Sequence, residues 1–212
     1  MKVIKSLMNQ QEQIINSILK LHANTDQIDI DPTYSKGCFY KSGVVKEPIF
    51  KYDLNPLKED VNRSDSSSLP FEDNSVNTII FDPPFVISGK SYVKSNRGTC
   101  VMQKKYSCYF SFEELKSHYA DSLKEFYRIL KPNGITIFKI QNTISSGKQH
   151  FSHFYAIKSA VNIGFYPIDE FILPMKNKIT SFGGRWNIQR HAMKYHSFFL
   201  VFKKTRCKVN YD

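Results

Sequence analysis

Three segments of this chain share one pattern: a short apolar run reaches an aspartate and then a turn. QIDI leads into Asp31-Pro32, PIFKYDL carries Asp53 toward Asn55-Pro56, and VNTIIF leads into Asp82-Pro83-Pro84. A weaker strand candidate lies at 61–64. GITIFKI (134–140), FYPIDEFILP (165–174) and YHSFFLVFKK (195–204) complete a set of seven. Helical spacing separates them. Leu7, Ile14, Ile15, Ile18, Leu19 and Leu21 predict an amphipathic helix over 6–22. Ser111 with Glu114 makes a capping box for a helix over 111–130, stopped by Pro132-Asn133-Gly134. Its stripe is Leu115, Tyr119, Leu123, Phe126, Tyr127 and Leu130. Residues 150–163 read as a further helix ending before Gly164. Such alternation predicts an α/β fold: a mostly parallel seven-stranded sheet with helices on both faces. The last two strands follow one another without a clear helix, which predicts an antiparallel last strand. Ligands of such sheets bind beyond the carboxyl ends of the strands, where the aspartates fall.

The 212 residues suit one domain over 1–212, with a helical extension over 1–25 and a basic loop over 86–110. The formal net charge of +11 points to a polyanionic partner such as nucleic acid. The four cysteines form no CxxC pair and no His clusters with them at zinc spacing, so no metal is expected. No apolar run approaches the ~18 residues of a membrane span, so no membrane partner is expected. Reduced thiols and the lack of an apolar leader predict a cytoplasmic protein, bacterial or, if phage-encoded, in the host cytoplasm.

Asp82-Pro83-Pro84-Phe85, directly after the most apolar strand, is the most specific motif. An exocyclic amine on a nucleobase is a poor nucleophile, because its lone pair is delocalised into the ring. Accepting hydrogen bonds from both of its protons drives the nitrogen toward a tetrahedral, reactive geometry. The Asp82 carboxylate can accept one and the Pro83 carbonyl the other. Two prolines fix φ and preorganise the acceptors. Phe85 offers a face on which a flipped base can stack. A plain strand-to-turn corner capped by Asp82 would need the same residues.

DPPF preceded by LPFEDNSVNTIIF resembles the catalytic motif of the S-adenosylmethionine-dependent amino-methyltransferases. These act on adenine or cytosine in DNA and on some RNA bases. The resemblance spans about residues 27–204 by order of elements, including YRILKPNG before ITIFKI and the final YHSFFLVFKK. It implies a Rossmann-like methyltransferase fold and S-adenosyl-L-methionine as cofactor. Carried over residue by residue, Asp53 would hold the ribose hydroxyls, and Asp65 with Ser66 would meet the adenine amine. Asp31, Thr33, Tyr34 and Gly37 would lie at the methionine end. There the chain departs from the family: a glycine-rich turn is replaced by one with only Gly37. The implied activity is methylation of an exocyclic base amine, N6 of adenine in DNA by the aspartate before Pro-Pro. An RNA base methyltransferase (rRNA or tRNA) and an inactive nucleic-acid-binding homologue remain alternatives.

The 86–110 loop carries Lys90, Lys94, Arg97, Lys104 and Lys105, no acid, and Tyr92, Tyr106 and Tyr109 between them. Cations suit phosphates and rings suit unstacked bases. A second basic stretch, 176–208, contains Arg185, Trp186 and Arg190. With no separate recognition domain evident, specificity would come from these stretches, a homodimer or a partner subunit.

Overall fold

The computed structural model describes residues 3–87, 108–175 and 190–205. Helix α1 (Gln11–Ile18) passes through one π-helical turn, Leu19–Ala23, and stops at Asn24, whose φ is 50°. Strands β1 (Ile30–Asp31), β2 (Phe50–Asp53), β3 (Asn62–Arg63) and β4 (Val76–Phe81) follow. Helix α2 (Phe112–Ile129) leads straight into β5 (Leu130–Ile140). A hairpin of β6 (Thr143–Ser145) and β7 (Lys148–His150) precedes helix α3 (Ser152–Ile163), and β8 (Phe165–Pro174) and β9 (His196–Lys204) finish the described chain.

The sheet order is β3-β2-β1-β4-β5-β9-β8. All pairings from β3 to β5 are parallel, and β9 runs antiparallel to both β5 and β8. The predicted seven strands and antiparallel last strand are therefore present. Strand order reverses between β1 and β4, and ligands of such sheets bind at the carboxyl ends flanking that switch point. Asp31 and Asp82 stand at those two ends.

Side-chain alternation divides the core into two layers. Ile79, Phe81, Phe138, Ile140, Leu200 and Phe202 face α2 and α3. Ile80, Ile135, Ile137, Phe199 and Val201 face α1 and the segment bearing Phe39 and Tyr40. In α2 the Ser111 hydroxyl accepts from Glu114 N at 3.1 Å, and the Glu114 carboxylate accepts from Phe110 N at 2.7 Å. This is the predicted capping box, with the return bond one residue earlier than usual. At its other end the Arg128 and Ile129 carbonyls accept from Asn74 N and Ser75 N, so the turn before β4 caps the helix. Helix α3 ends as predicted at Gly164, whose φ of 121° suits glycine and where a Cβ would come 3.0 Å from the Tyr127 hydroxyl oxygen.

Three expectations are corrected. The first helical segment starts at Gln11 rather than at residue 6, and with its π-helical turn it ends at Ala23, close to the expected 22. Residues 6–8 instead run beside the edge strand β8, with Met8 N donating to the Ile172 carbonyl and Ile172 N to the Ser6 carbonyl. An edge strand offers unpaired backbone groups that outweigh one more helical turn; Leu7 and Leu21, assigned to the apolar stripe, are exposed. Strand β5 starts at Leu130, ahead of the predicted 134, because a register shift between Val76 and Thr78 lets Leu130 pair with Val76. The β6–β7 hairpin was not expected, and its last residue, His150, belongs to β7 rather than to the helix, which starts at Ser152 and not at 150. Among the described residues no helix is long and apolar enough to cross a membrane.

Candidate active site

Asp82 follows the last residue of β4, and Phe81 pairs with Phe138 of β5. That register sets Asp82 level with Lys139. The Lys139 Nζ donates to Asp82 Oδ2 at 2.9 Å, with side-chain exposures of 16% and 25%. Lys139 is held from beneath as well. Its Nζ stands 5.0 Å from the Phe39 ring centroid, 5.9 Å from that of Phe199, and 3.5 Å from Gln11 Oε1. One carboxylate oxygen is thus fixed by a cation, which leaves Oδ1 to meet another group.

The loop after Asp82 is anchored at a second point. The Tyr119 hydroxyl donates to the Pro84 carbonyl at 2.8 Å. No described residue donates to the Pro83 carbonyl. Phe85 is half-buried. Farther on, Tyr109 N donates to the Val86 carbonyl and Tyr109 bridges to Ile87, so the two ends of the basic loop are clamped together.

The turn after β1 connects the three strand-end acids. The Thr33 hydroxyl accepts from Asp82 N at 2.9 Å and donates to Asp31 Oδ1 at 3.3 Å, and Thr33 N donates to the same oxygen at 2.9 Å. Asp31 Oδ2 accepts from the Tyr40 hydroxyl at 2.8 Å. Burial, aided by the charge of Asp82, pushes the Asp31 carboxyl up to about 7 against these hydrogen bonds. Ser35 N donates to Asp53 Oδ2 and Asn55 N to Asp53 Oδ1, at 2.9 and 2.8 Å. Side-chain oxygens therefore order a turn that glycines build elsewhere. Gly37 is the exception: its φ is 66° and a Cβ there would come 2.5 Å from the Tyr34 hydroxyl oxygen.

The structure gathers Asp31, Thr33, Asp53, Asp82 and the two prolines at one edge of the sheet. Other candidates sit differently. Tyr34 turns into the core, 2% exposed, stacked on Tyr40 at 5.5 Å and donating to Glu47 at 2.6 Å. Asp65 accepts from Ser67 N and from its hydroxyl. These two bonds outweigh its partial burial and hold its carboxyl below the usual range. The Ser66 hydroxyl is buried against Ser122 at 2.7 Å and His118 Nε2 at 2.8 Å, while His118 Nδ1 meets the Tyr109 hydroxyl at 2.5 Å. Burial lowers the His118 pKa against the pull of Asp65, Asp121 and Glu114. Lys90, Lys94, Arg97, Lys104, Lys105, Arg185 and Trp186 lie outside the described residues, and Arg190 is exposed. Two cavities among the described residues, about 440 Å³ against α2 and about 230 Å³ between α3 and β8–β9, are not lined by Asp82.

No protein-family model and no curated protein matches the chain by sequence. Solved structures do match. A candidate sarcosine dimethylglycine methyltransferase from Galdieria sulphuraria superposes with a TM-score of 0.53 at 14% identity, over 92% of this chain and 85% of that one. The fold is that of a Rossmann-like methyltransferase. Two DNA-modifying proteins share it more loosely. One is a candidate DNA modification methylase from Thermus thermophilus, complexed with S-adenosyl-L-methionine (TM-score 0.45, 14% identity, 70% of this chain, 56% of that one). The other is the cytosine-N4-specific PvuII DNA methyltransferase (TM-score 0.49, 17% identity, 68% and 48%). The chain spans about half the length of either. Lys139, Tyr119 and Tyr40 contact Asp82, Pro84 and Asp31, three contacts that sequence reasoning missed. Lys139 had a signal: a lone cation in the otherwise apolar run ITIFKI.

Proposed function

We propose that this chain transfers a methyl group from S-adenosyl-L-methionine to an exocyclic amine of a nucleobase, N6 of adenine in DNA. The observation that carries the reading is the Asp82 carboxylate at the carboxyl end of β4, where the strand order switches, with Oδ2 held by Lys139. The bound donor would supply an electrophilic methyl on a sulfonium. Asp53 and the turn of Asp31 and Thr33 are the groups to hold it, and Asp65, whose Oδ1 alone is taken by Ser67, keeps Oδ2 for it. Asp53 fits that task, since one backbone N–H on each oxygen leaves further lone pairs for hydroxyls.

The chain's own residues then act on the base. Asp82 Oδ1 accepts one amine proton in a hydrogen bond and the Pro83 carbonyl accepts the other, which localises the nitrogen lone pair. Tyr119, through Pro84, keeps the second acceptor in place. Phe85 stacks on the extruded base. The excess of cations, +11 overall, draws the nucleic acid in.

The test is transfer of labelled methyl to duplex DNA and to RNA in separate reactions, each digested to nucleosides. Label in N6-methyl-2′-deoxyadenosine supports the full reading. Label in a ribonucleoside moves the substrate to RNA. No label in either, from protein that binds oligonucleotides, rejects the enzymatic reading.

Lys139 gives a sharper check. Lys139→Met keeps an unbranched chain one atom shorter and frees the Asp82 carboxylate to rotate. The expected result is a kcat lower by roughly tenfold to a hundredfold, with KM for the donor little changed and partial recovery in Lys139→Arg. Unaltered kcat in Lys139→Met would remove Lys139 from the site.

A further inference from the structure

The β6–β7 hairpin and the start of α3 stand beside the proposed site. Thr143 follows shortly after Lys139, at the same carboxyl edge of the sheet. The hairpin also touches both places where the chain returns from its basic stretches. His150 stacks on Phe112 at 4.3 Å, just past Tyr109, and the Gly147 carbonyl accepts from His191 Nε2 at 2.9 Å. Gln141 fastens the underside, donating to the carbonyls of Lys194 and His196 at 3.2 and 2.9 Å.

This well-supported element presents aromatic surface outward. Phe151 is 60% exposed and Phe154 62%. They are three residues apart at the start of α3, and exposed Lys158 follows four residues on, so the three form one stripe. Lys148 is exposed on the hairpin. The chain from 141 to 158 has no acid, nor does 190–196. Two large apolar rings left in water need an explanation, and the charge around them suits a polyanion. Flat rings interleaved with cations match the chemistry of an unstacked nucleic-acid strand: bases on rings, phosphates on ammonium groups.

We propose that the β6–β7 hairpin and the first turn of α3 form a single-strand contact ledge, with Phe151 and Phe154 as stacking faces and Lys148 and Lys158 as phosphate contacts. The ledge rests on the reading of the chain as a nucleic-acid methyltransferase and gives it a substrate-holding surface. It would grip the strand that carries the extruded base, beside Asp82. None of its residues enters the chemistry.

The test is binding of a fluorescent single-stranded DNA oligonucleotide to the full chain, with donor binding followed separately by calorimetry. Phe151→Ala with Phe154→Ala should raise the oligonucleotide Kd at least tenfold and leave donor affinity unchanged. Phe151→Tyr with Phe154→Tyr, which keeps both rings, should bind like the original. Lys148→Gln should flatten the salt dependence by about one unit of slope or less. If the double alanine variant keeps its fold and binds the oligonucleotide as the original does, the ledge is wrong and the methyltransferase reading stands. If that variant loses only an oligonucleotide-independent dimer in sedimentation, the rings face a second copy and the ledge is equally wrong. If the original chain binds no oligonucleotide, the ledge and the parent reading both fall.

Discussion

Asp82→Ala is expected to lower methyl transfer by about 10³-fold, the scale on which losing one preorganised hydrogen-bonding group at a reacting centre acts. The amine would keep one acceptor, the Pro83 carbonyl, and lose the other. Donor binding should persist, since Asp53 and the turn after β1 are separate from the carboxylate. The amide tells more. In Asp82→Asn, Lys139 would hold the amide oxygen as it now holds Oδ2, at 2.9 Å. The amide NH2 would then face the base amine, donor against donor. Asp82→Asn should therefore be nearly as poor as the alanine variant. Asp82→Asn with Lys139→Met should recover part of the rate, because the amide can then rotate. Single-turnover rates check this. An alanine variant within tenfold of the original would end the assignment of Asp82, and an active asparagine variant would mean that Lys139 does not fix its orientation.

Phe81→Ala is expected to cost about 3–5 kcal/mol of folding stability. The Phe81 ring is fully buried, with ring centroids at 5.0 Å to Phe126, 4.9 Å to Phe138 and 6.4 Å to Tyr119. Removing it leaves a cavity where the central strand meets α2, and aromatic neighbours cannot collapse into it. A domain stable by about 5–15 kcal/mol would lose a large share of that margin. Urea denaturation measures it as a lower midpoint with little change in slope. A cost below about 1 kcal/mol would mean that the core relaxes more than aromatic packing allows.

The fold was legible where period and polarity agree. VNTIIF, GITIFKI and YHSFFLVFKK became strands, and Ser111 with Glu114 marked the start of α2. What escaped depended on partners far apart in sequence. Strand register cannot be read from one chain, so nothing said that Lys139 would stand beside Asp82. Tyr34 looked like a ligand contact because it follows a strand-end acid, yet Tyr40 and Glu47 draw its side chain into the core. Ser66 was turned inward by α2 in the same way. The hairpin left one trace, Ser146-Gly147, both with positive φ as a tight two-residue turn requires. Its three-residue strands carry too little apolar alternation to show without that turn.

β9 follows β8 in the chain but lies between β5 and β8 in the sheet. During synthesis, then, β8 leaves the ribosome with only residues 6–8 to pair with, on its other edge, until β9 emerges and fills the gap toward β5. Phe199, which underlies Lys139, arrives only with that strand. A nascent chain that has already made its aspartate and lysine still lacks the floor beneath them until β9 is in place.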